Sequence, residues 1–247
     1  MVRPEAFPTP FCPGCGHGIL MGALLRAIDE LGWSMDDMLF VSGIGCGGRI
    51  PSPHYAADTL HVTHGRPIAF ATGAKLYNPR LKVVVIGGDG DIASIGGNHL
   101  IHGARRNVDL TVICANNGIY GTTGGQVTPT TPLGARTVTT PEGNRERAFD
   151  LSQLVVAAGA SYVARYSVYH VRQLIRALKV ALEHPGFAFV EVLSSCPVQY
   201  GRRNDLGTPT AMLEYFREHC VPIARARTMT QEQLRDKVII GEFIGAA

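Results

Sequence analysis

Residues 81–121, "LKVVVIGGDGDIASIGGNHLIHGARRNVDLTVICANNGIYG", decide the fold. The run "LKVVVIGGDGD" (81–91) is β-branched and lacks polar alternation, as expected of a strand buried on both faces of a parallel sheet. "SIGGNHLIHGARR" (94–106) reads as a helix, and "DLTVICANN" (109–117) reads as a second buried strand. One helix between two such strands is a β–α–β unit. It delivers Asp89 and Asn117 to adjacent strand ends.

The same alternation extends in both directions. "GILMGALLRAIDELGW" (18–33) has apolar residues at helical spacing and ends near Gly32, and "DMLFVSGIGCGG" (37–48) is a short strand running into glycines. "GRPIAFATGAKLYNP" (65–79) is a helix stopped by Asn78-Pro79. Downstream lie "DLSQLVVAAGA" (helix), "SYVARY" (strand), "VYHVRQLIRALKVALEH" (helix), "GFAFVEVLSS" (strand), a short helix and a final strand, "KVIIGEF". The expectation is a single α/β domain over residues 1–247, with a mainly parallel sheet and helices on both faces. Ligands bind such sheets beyond the carboxyl ends of the strands. The glycine knots at 43–48 and 87–90 and the Asn116-Asn117 pair all fall at that edge. Residues 121–147, rich in Thr, Gly and Pro, are too long for an idle loop and read as functional or partner-bound.

Composition narrows the function. Of 247 residues 45% are hydrophobic and 17% charged, which suits a core-rich protein and argues against disorder. The net charge of +3 is scattered, so nucleic acid is not indicated. The N-terminus has no apolar signal region and no apolar run reaches bilayer length, so the expected setting is cytoplasmic, away from membranes. Thiols stay reduced there. Cys12, Cys15, Cys46, Cys114, Cys196 and Cys220 then read as metal ligands or buried small residues rather than a disulfide framework.

At the strand ends, glycines around Asp89 let backbone approach a phosphate while the carboxylate meets a hard cation. Asn117 adds an amide oxygen, and the Gly118 turn exposes the Ile119 carbonyl. Those donors and phosphate oxygens are the set Mg²⁺ prefers. Gly-Asp-Gly followed by Asn-Asn resembles the thiamine diphosphate-binding motif. "GGDGDIAS" lacks the Gly-x-Gly-x-x-Gly spacing of a dinucleotide site, and no Gly-Lys-Ser/Thr marks a P-loop.

Cys12 and Cys15 form a Cys-x-x-Cys pair. Cys46 sits in "GIGCGG" and Cys196 opens "CPVQYGRRN", each beside Gly or Pro. The residues alone leave a [4Fe–4S] cluster, structural zinc and a redox dithiol open. Cys114, in an apolar strand, reads as core, and Cys220 as structural.

Together, "PFCPGCGHG", "SGIGCGGR", "THGR", "GDGD", "NNGIYGTTGGQ" and "CPVQYGRRN" resemble the β subunit of 2-oxoacid:ferredoxin oxidoreductases, in the family's order, over about residues 7–210. The resemblance implies a thiamine diphosphate-binding fold with [4Fe–4S]-binding loops. It implies Cys12, Cys15, Cys46 and Cys196 as cluster ligands, and Asp89, Asn117 and the Ile119 carbonyl as Mg²⁺ ligands. Ile44, Gly45, Cys46, Gly47, His64, Gly90, Asp91, Gly121 and Thr122 would line thiamine diphosphate, with Cys46 serving both groups. His64 is the candidate for catalytic contact with cofactor or substrate, and His17 is either helix packing or a cofactor contact.

The implied reaction is coenzyme A-dependent oxidative decarboxylation of a 2-oxoacid, with electrons leaving through the cluster to ferredoxin. The activating glutamate comes from a partner α subunit. Thr123-Gly124-Gly125-Gln126 stands where two-subunit members carry Thr-Lys-Gly-Gln, so their coenzyme A-linked lysine is absent. With the lack of their longer tail, this points to the short multi-subunit type, beside α, γ and a ferredoxin-like δ subunit. "CPVQYGRRND" is most like 2-oxoglutarate enzymes; branched-chain or aryl 2-oxoacids (indolepyruvate, phenylglyoxylate) are the rival substrates. The rival class is a non-redox thiamine diphosphate decarboxylase or synthase with structural zinc. Arg49 and Arg66 either meet a substrate carboxylate or form salt bridges, His99 and His102 read as packing, and Arg202 and Arg203 read as a solvated turn.

Overall fold

The computed structural model describes residues 1–244. Its centre is an eight-stranded sheet, made of β1 (Met38–Ser42), β2 (Asp58–His61), β3 (Lys82–Gly88), β4 (Leu110–Asn116), β5 (Tyr162–Ser167), β6 (Phe187–Leu193), β7 (Cys220–Pro222) and β8 (Val238–Ile244). The spatial order is β2-β1-β3-β4-β6-β5-β8-β7. Every pairing is parallel except β5 with β8, which is antiparallel. The mainly parallel sheet expected from the sequence is present, with one reversed strand near its far edge.

Five helices cover the two faces. The helices α1 (Gly16–Glu30), α2 (Pro67–Tyr77), α3 (Gly97–Arg105), α4 (Leu151–Ala157) and α5 (Val171–Glu183) alternate with the strands. On one face Leu20, Leu24 and Ile28 of α1 meet Leu174 and Leu178 of α5 over Phe40, Val84, Ile86, Ile113 and Val190. On the other, Ile68 of α2, Leu100 of α3 and Val155 of α4 pack on Val83, Val85, Val112 and Phe189. Successive residues of β3 therefore point into opposite cores. That is why its sequence shows no polar alternation. Cys114 is buried in the second core, as its apolar strand predicts, and Cys220 is buried too.

Register brings the functional loops to one edge. Ser42 of β1 pairs with Ile86 of β3, Gly88 of β3 with Ala115 of β4, and Asn116 of β4 with Leu193 of β6. The chain thus leaves four neighbouring strands in the same direction, into 43–48, 89–96, 117–121 and 194–200. The helix expected from residue 94 begins instead at Gly97, because a π-helical turn over Gly90–Ile95 precedes it. The remaining helices, α6 (Pro209–His219), α7 (Ile223–Ala226) and α8 (Gln231–Leu234), lead into β8. Among the described residues no helix is long and apolar enough to cross a membrane.

Candidate functional site

The edge loops enclose a cleft of about 70 Å³. The structure gathers there every residue the sequence pointed to for thiamine diphosphate and Mg²⁺, namely Ile44–Gly47, His64, Asp89–Asp91, Asn117, Ile119, Gly121 and Thr122. It adds Tyr120, and His17, read from the sequence as packing or a cofactor contact, lines the cleft too.

Asp89 is 1% exposed. Its Oδ2 accepts a hydrogen bond from Thr130 Oγ1 at 2.6 Å and its Oδ1 accepts one from the Asn117 N–H at 3.3 Å. Burial pushes the carboxyl above its usual range, opposed by the hydroxyl and backbone donors. Beside it, Asn117 Oδ1 accepts from Ile119 N–H at 3.2 Å and Gly118 O accepts from Thr131 Oγ1 at 2.7 Å. The turn that presents Asn117 and Ile119 is thus pinned from both sides. Thr130 and Thr131 were missed in the sequence; their only signal was the unusual density of threonine in 121–147.

Gly90 has no room for a side chain. A Cβ there would lie 2.1 Å from the Tyr120 ring, which closes the turn and whose hydroxyl donates to Gly90 O at 3.4 Å. Asp91, 2% exposed, reaches back under the loops. Its Oδ1 accepts from His64 Nδ1 at 2.5 Å, Gly65 N–H at 2.7 Å and Ile44 N–H at 3.3 Å. The other oxygen, Oδ2, is buried with no hydrogen-bond partner.

The four thiols singled out by the sequence come from three segments, Cys12 and Cys15 sharing one, and Cys46 lines this cleft. Cys46 Sγ and Cys196 Sγ each lie 3.7 Å from the point where a Gly121 Cβ would stand. The Cys15 thiol feels the charges of Cys196, Cys46 and Cys12, and burial above all pushes it up to about 12. Burial also raises Cys196. All four are free of disulfides. Among the described residues no three His, Cys, Asp or Glu side chains crowd closely enough to hold a single metal ion. Gly16 fits the first pair onto the last segment: its N–H donates to Ser195 O at 3.0 Å, and a Cβ would stand 2.6 Å from Ser194 Oγ. His17 is buried, with Nδ1 2.9 Å from Ser194 Oγ, and burial lowers it to about 4. It packs the helix start and lines the cleft as well.

Other residues stand apart. Arg49 and Arg66 are exposed, and Arg66 Nη1 donates to the carbonyls of Gly65 and Ile95. His102 accepts from Arg105 Nε at 3.3 Å within α3. Arg203 departs from the solvated turn expected of it. Its Nη1 donates to Gln199 O at 2.7 Å and Gln199 Oε1 at 2.8 Å, bracing the segment after Cys196 against Gly125. A cavity of about 390 Å³ lies behind the Asn117 turn, between Tyr200, Phe149, Glu191 and Arg165.

Residues 43–192 match the family model for the thiamine pyrophosphate enzyme, C-terminal TPP binding domain. The fold and the match define the class, a thiamine diphosphate-binding domain. The chain is 51% identical, over 98% of its length and 90% of the relative's, to 2-oxoglutarate synthase subunit KorB of Methanocaldococcus jannaschii. It is 44% identical to the 2-oxoacid:ferredoxin oxidoreductase subunit beta of Saccharolobus solfataricus, over 80% of this chain and 64% of that one. A solved structure of 2-oxoglutarate:ferredoxin oxidoreductase from Magnetococcus marinus, with 2-oxoglutarate, coenzyme A and succinyl-CoA bound, superposes with a TM-score of 0.85 at 36% identity, covering 98% of this chain and 82% of that one. The chain belongs to the β subunits of the 2-oxoacid:ferredoxin oxidoreductase family.

Proposed function

We propose that this chain is the thiamine diphosphate-binding β subunit of a 2-oxoglutarate:ferredoxin oxidoreductase that forms succinyl-CoA and CO₂. The observation that carries the reading is the shared position of Cys46, which lines the cofactor cleft and also faces Cys196 in the group of four thiols. A subunit that both generates and exports electrons needs its cofactor and its metal centre on one loop. The substrate rests on the relatives, four of which at 48–51% identity are 2-oxoglutarate synthase subunits.

The donors fit the groups the family implies. A buried carboxylate with an amide oxygen and a carbonyl is an all-oxygen set for Mg²⁺, and a cation there relieves the desolvation of Asp89. Four free thiols from three loops suit a [4Fe–4S] cluster.

Thiamine diphosphate, when bound, supplies the carbon nucleophile for the 2-oxo carbon and takes up the electron pair left by CO₂. A [4Fe–4S] cluster, when bound, supplies one-electron acceptance. Asp89, Asn117 and the Ile119 carbonyl hold Mg²⁺, and Ile44–Gly47, Gly90, Asp91, Gly121 and Thr122 cradle the cofactor. Cys12, Cys15, Cys46 and Cys196 hold the cluster. Asp91 fixes the Nδ1–H tautomer of His64 and leaves Nε2 free to move a proton or bind substrate in the cleft.

A cleft of about 70 Å³ is too small to bury a cofactor, since ligand sites span roughly 300–1,000 Å³. Its mouth carries the exposed Ile44, and α2 exposes Phe70, Leu76 and Tyr77. An α subunit completes the site and supplies the glutamate. The Thr-Gly-Gly-Gln sequence at 123–126, without the lysine, supports an assembly of the multi-subunit type, with γ and ferredoxin-like δ subunits beside α.

The test is to purify the complex and assay 2-oxoglutarate, pyruvate, branched-chain and aryl 2-oxoacids with coenzyme A and a viologen dye. Highest kcat/KM with 2-oxoglutarate is the expected result. Preference for another 2-oxoacid overturns the substrate, and a complex without iron overturns the redox role.

A further inference from the structure

Glu191 is a carboxylate in the middle of β6, 2% exposed, and it does not line the cofactor cleft. Its Oε2 accepts from Arg165 Nε and from Ser152 Oγ, each at 2.7 Å. Its Oε1 accepts from Asn116 Nδ2 at 2.8 Å. Arg165 supplies the compensating charge, is paired also with Asp150, and donates to Ile239 O at 3.1 Å. A buried carboxylate so fully satisfied is costly to disturb.

The amide of Asn116 carries this arrangement one bond further. Its Oδ1 accepts from Gly118 N–H at 3.1 Å. Gly118 lies between Asn117 and Ile119, and its φ of +68° puts the chain in the left-handed region there. Flipping the Asn116 amide would set its NH₂ against the Gly118 N–H and its oxygen against the Glu191 carboxylate. Both contacts would be repulsive, so Glu191 dictates which way Asn116 faces. The orientation of Asn116 in turn dictates where the Gly118 N–H points, and with it the path of the backbone through Asn117 and Ile119.

We infer that Glu191 is a positioning residue for the cation-binding turn, acting through Asn116 from outside the cleft. The inference rests on the proposed Mg²⁺–thiamine diphosphate site. Glu191 touches neither group; it sets the geometry of two of the three donors from this chain. Outer hydrogen-bond partners of metal ligands commonly matter about 10- to 100-fold in metal affinity.

The experiment uses the assembled complex, stripped of cofactor with chelator and then titrated with Mg²⁺ at fixed thiamine diphosphate. Retained thiamine diphosphate is measured by equilibrium dialysis, and the visible absorption of the iron centre is recorded in parallel. Asn116→Ala and Glu191→Gln should each raise the Mg²⁺ concentration for half-maximal retention by about tenfold. Visible absorption should stay at the wild-type level. The double variant should be no worse than the weaker single variant, because both changes cut one chain of contacts. An unchanged Mg²⁺ requirement in Asn116→Ala, or additive losses in the double variant, overturns the inference. Should Glu191→Gln fail to assemble, Asn116→Ala decides alone, since it leaves the Glu191–Arg165–Ser152 contacts in place. Wild-type complex that binds thiamine diphosphate without Mg²⁺ overturns the site reading itself, a result distinct from a Mg²⁺-dependent wild type with unaffected variants.

Discussion

His64 Nδ1 lies 2.5 Å from Asp91 Oδ1, and the same oxygen receives the N–H groups of Gly65 and Ile44. One carboxylate therefore ties three segments together: the turn after β3, the loop after β1 and the turn before α2. The two side chains of the pair should separate on mutation. His64→Ala removes only the ring and should lower kcat by about 10²- to 10⁴-fold, with a smaller loss of thiamine diphosphate retention than Asp91→Ala. Asp91→Ala also strands two backbone N–H groups and should lower retention as well as kcat. Equal retention in both variants would show that Asp91 serves His64 alone.

The four thiols grouped near the cleft and the buried Cys114 make opposite predictions. Cys12→Ser, Cys15→Ser, Cys46→Ser and Cys196→Ser should each abolish or strongly reduce iron content and the visible absorption that bleaches with dithionite. Cys114→Ala, in the second core, should keep both and lose about 1–3 kcal/mol of stability. Full iron in any of the first four variants removes that residue from the ligand set.

In the proposed cation site Asp89 is the charged donor. Asp89→Ala should release thiamine diphosphate from the complex on gel filtration, and chelator should do the same to the wild type. The chelated wild type should recover on adding Mg²⁺, whereas the variant should not. Iron absorption should survive both treatments, because the thiols do not depend on Asp89.

Gly90 tests the packing of the turn. Gly90→Ala places a methyl group 2.1 Å from the Tyr120 ring, so the ring or the turn must move. The thiamine diphosphate concentration for half-saturation should rise by about tenfold or more, a loss of at least about 1.4 kcal/mol. Adding Tyr120→Ala should recover part of it. A neutral Gly90→Ala variant would mean that Tyr120 is free to swing away.

The elements with the strongest physical signature were legible in the sequence. β3, β4 and β6 are buried on both faces and therefore read as mainly apolar runs without polar alternation, and α1 and α5 show helical spacing because one side of each packs on the sheet. The position of the candidate site was legible for the same reason, since glycines, Asp89 and Asn117 follow directly on those strands. β2 was missed: Asp58–His61 is a short edge strand with one half-buried and three exposed residues, and no apolar pattern is required of it. β7 is three residues long, and the reversal of β8 depends on contacts with β5 that leave no local mark. The hold of Thr130 on Asp89 spans 41 positions and was equally invisible. Glu191 did leave a trace, as the lone acid in the apolar run "FAFVEVL", although nothing local names its partner.

The group of four thiols also has a meaning in time. Its first pair lies in the opening residues and its last member is Cys196, beyond six of the eight strands. During synthesis Cys12 and Cys15 emerge early, but the loop that completes the set appears only once β6 has been made. Under the proposed cluster reading, iron held by the full set would be captured only after six of the eight strands have been made. Once in place it would act as a clasp between the two ends of the fold, resisting the unravelling of either.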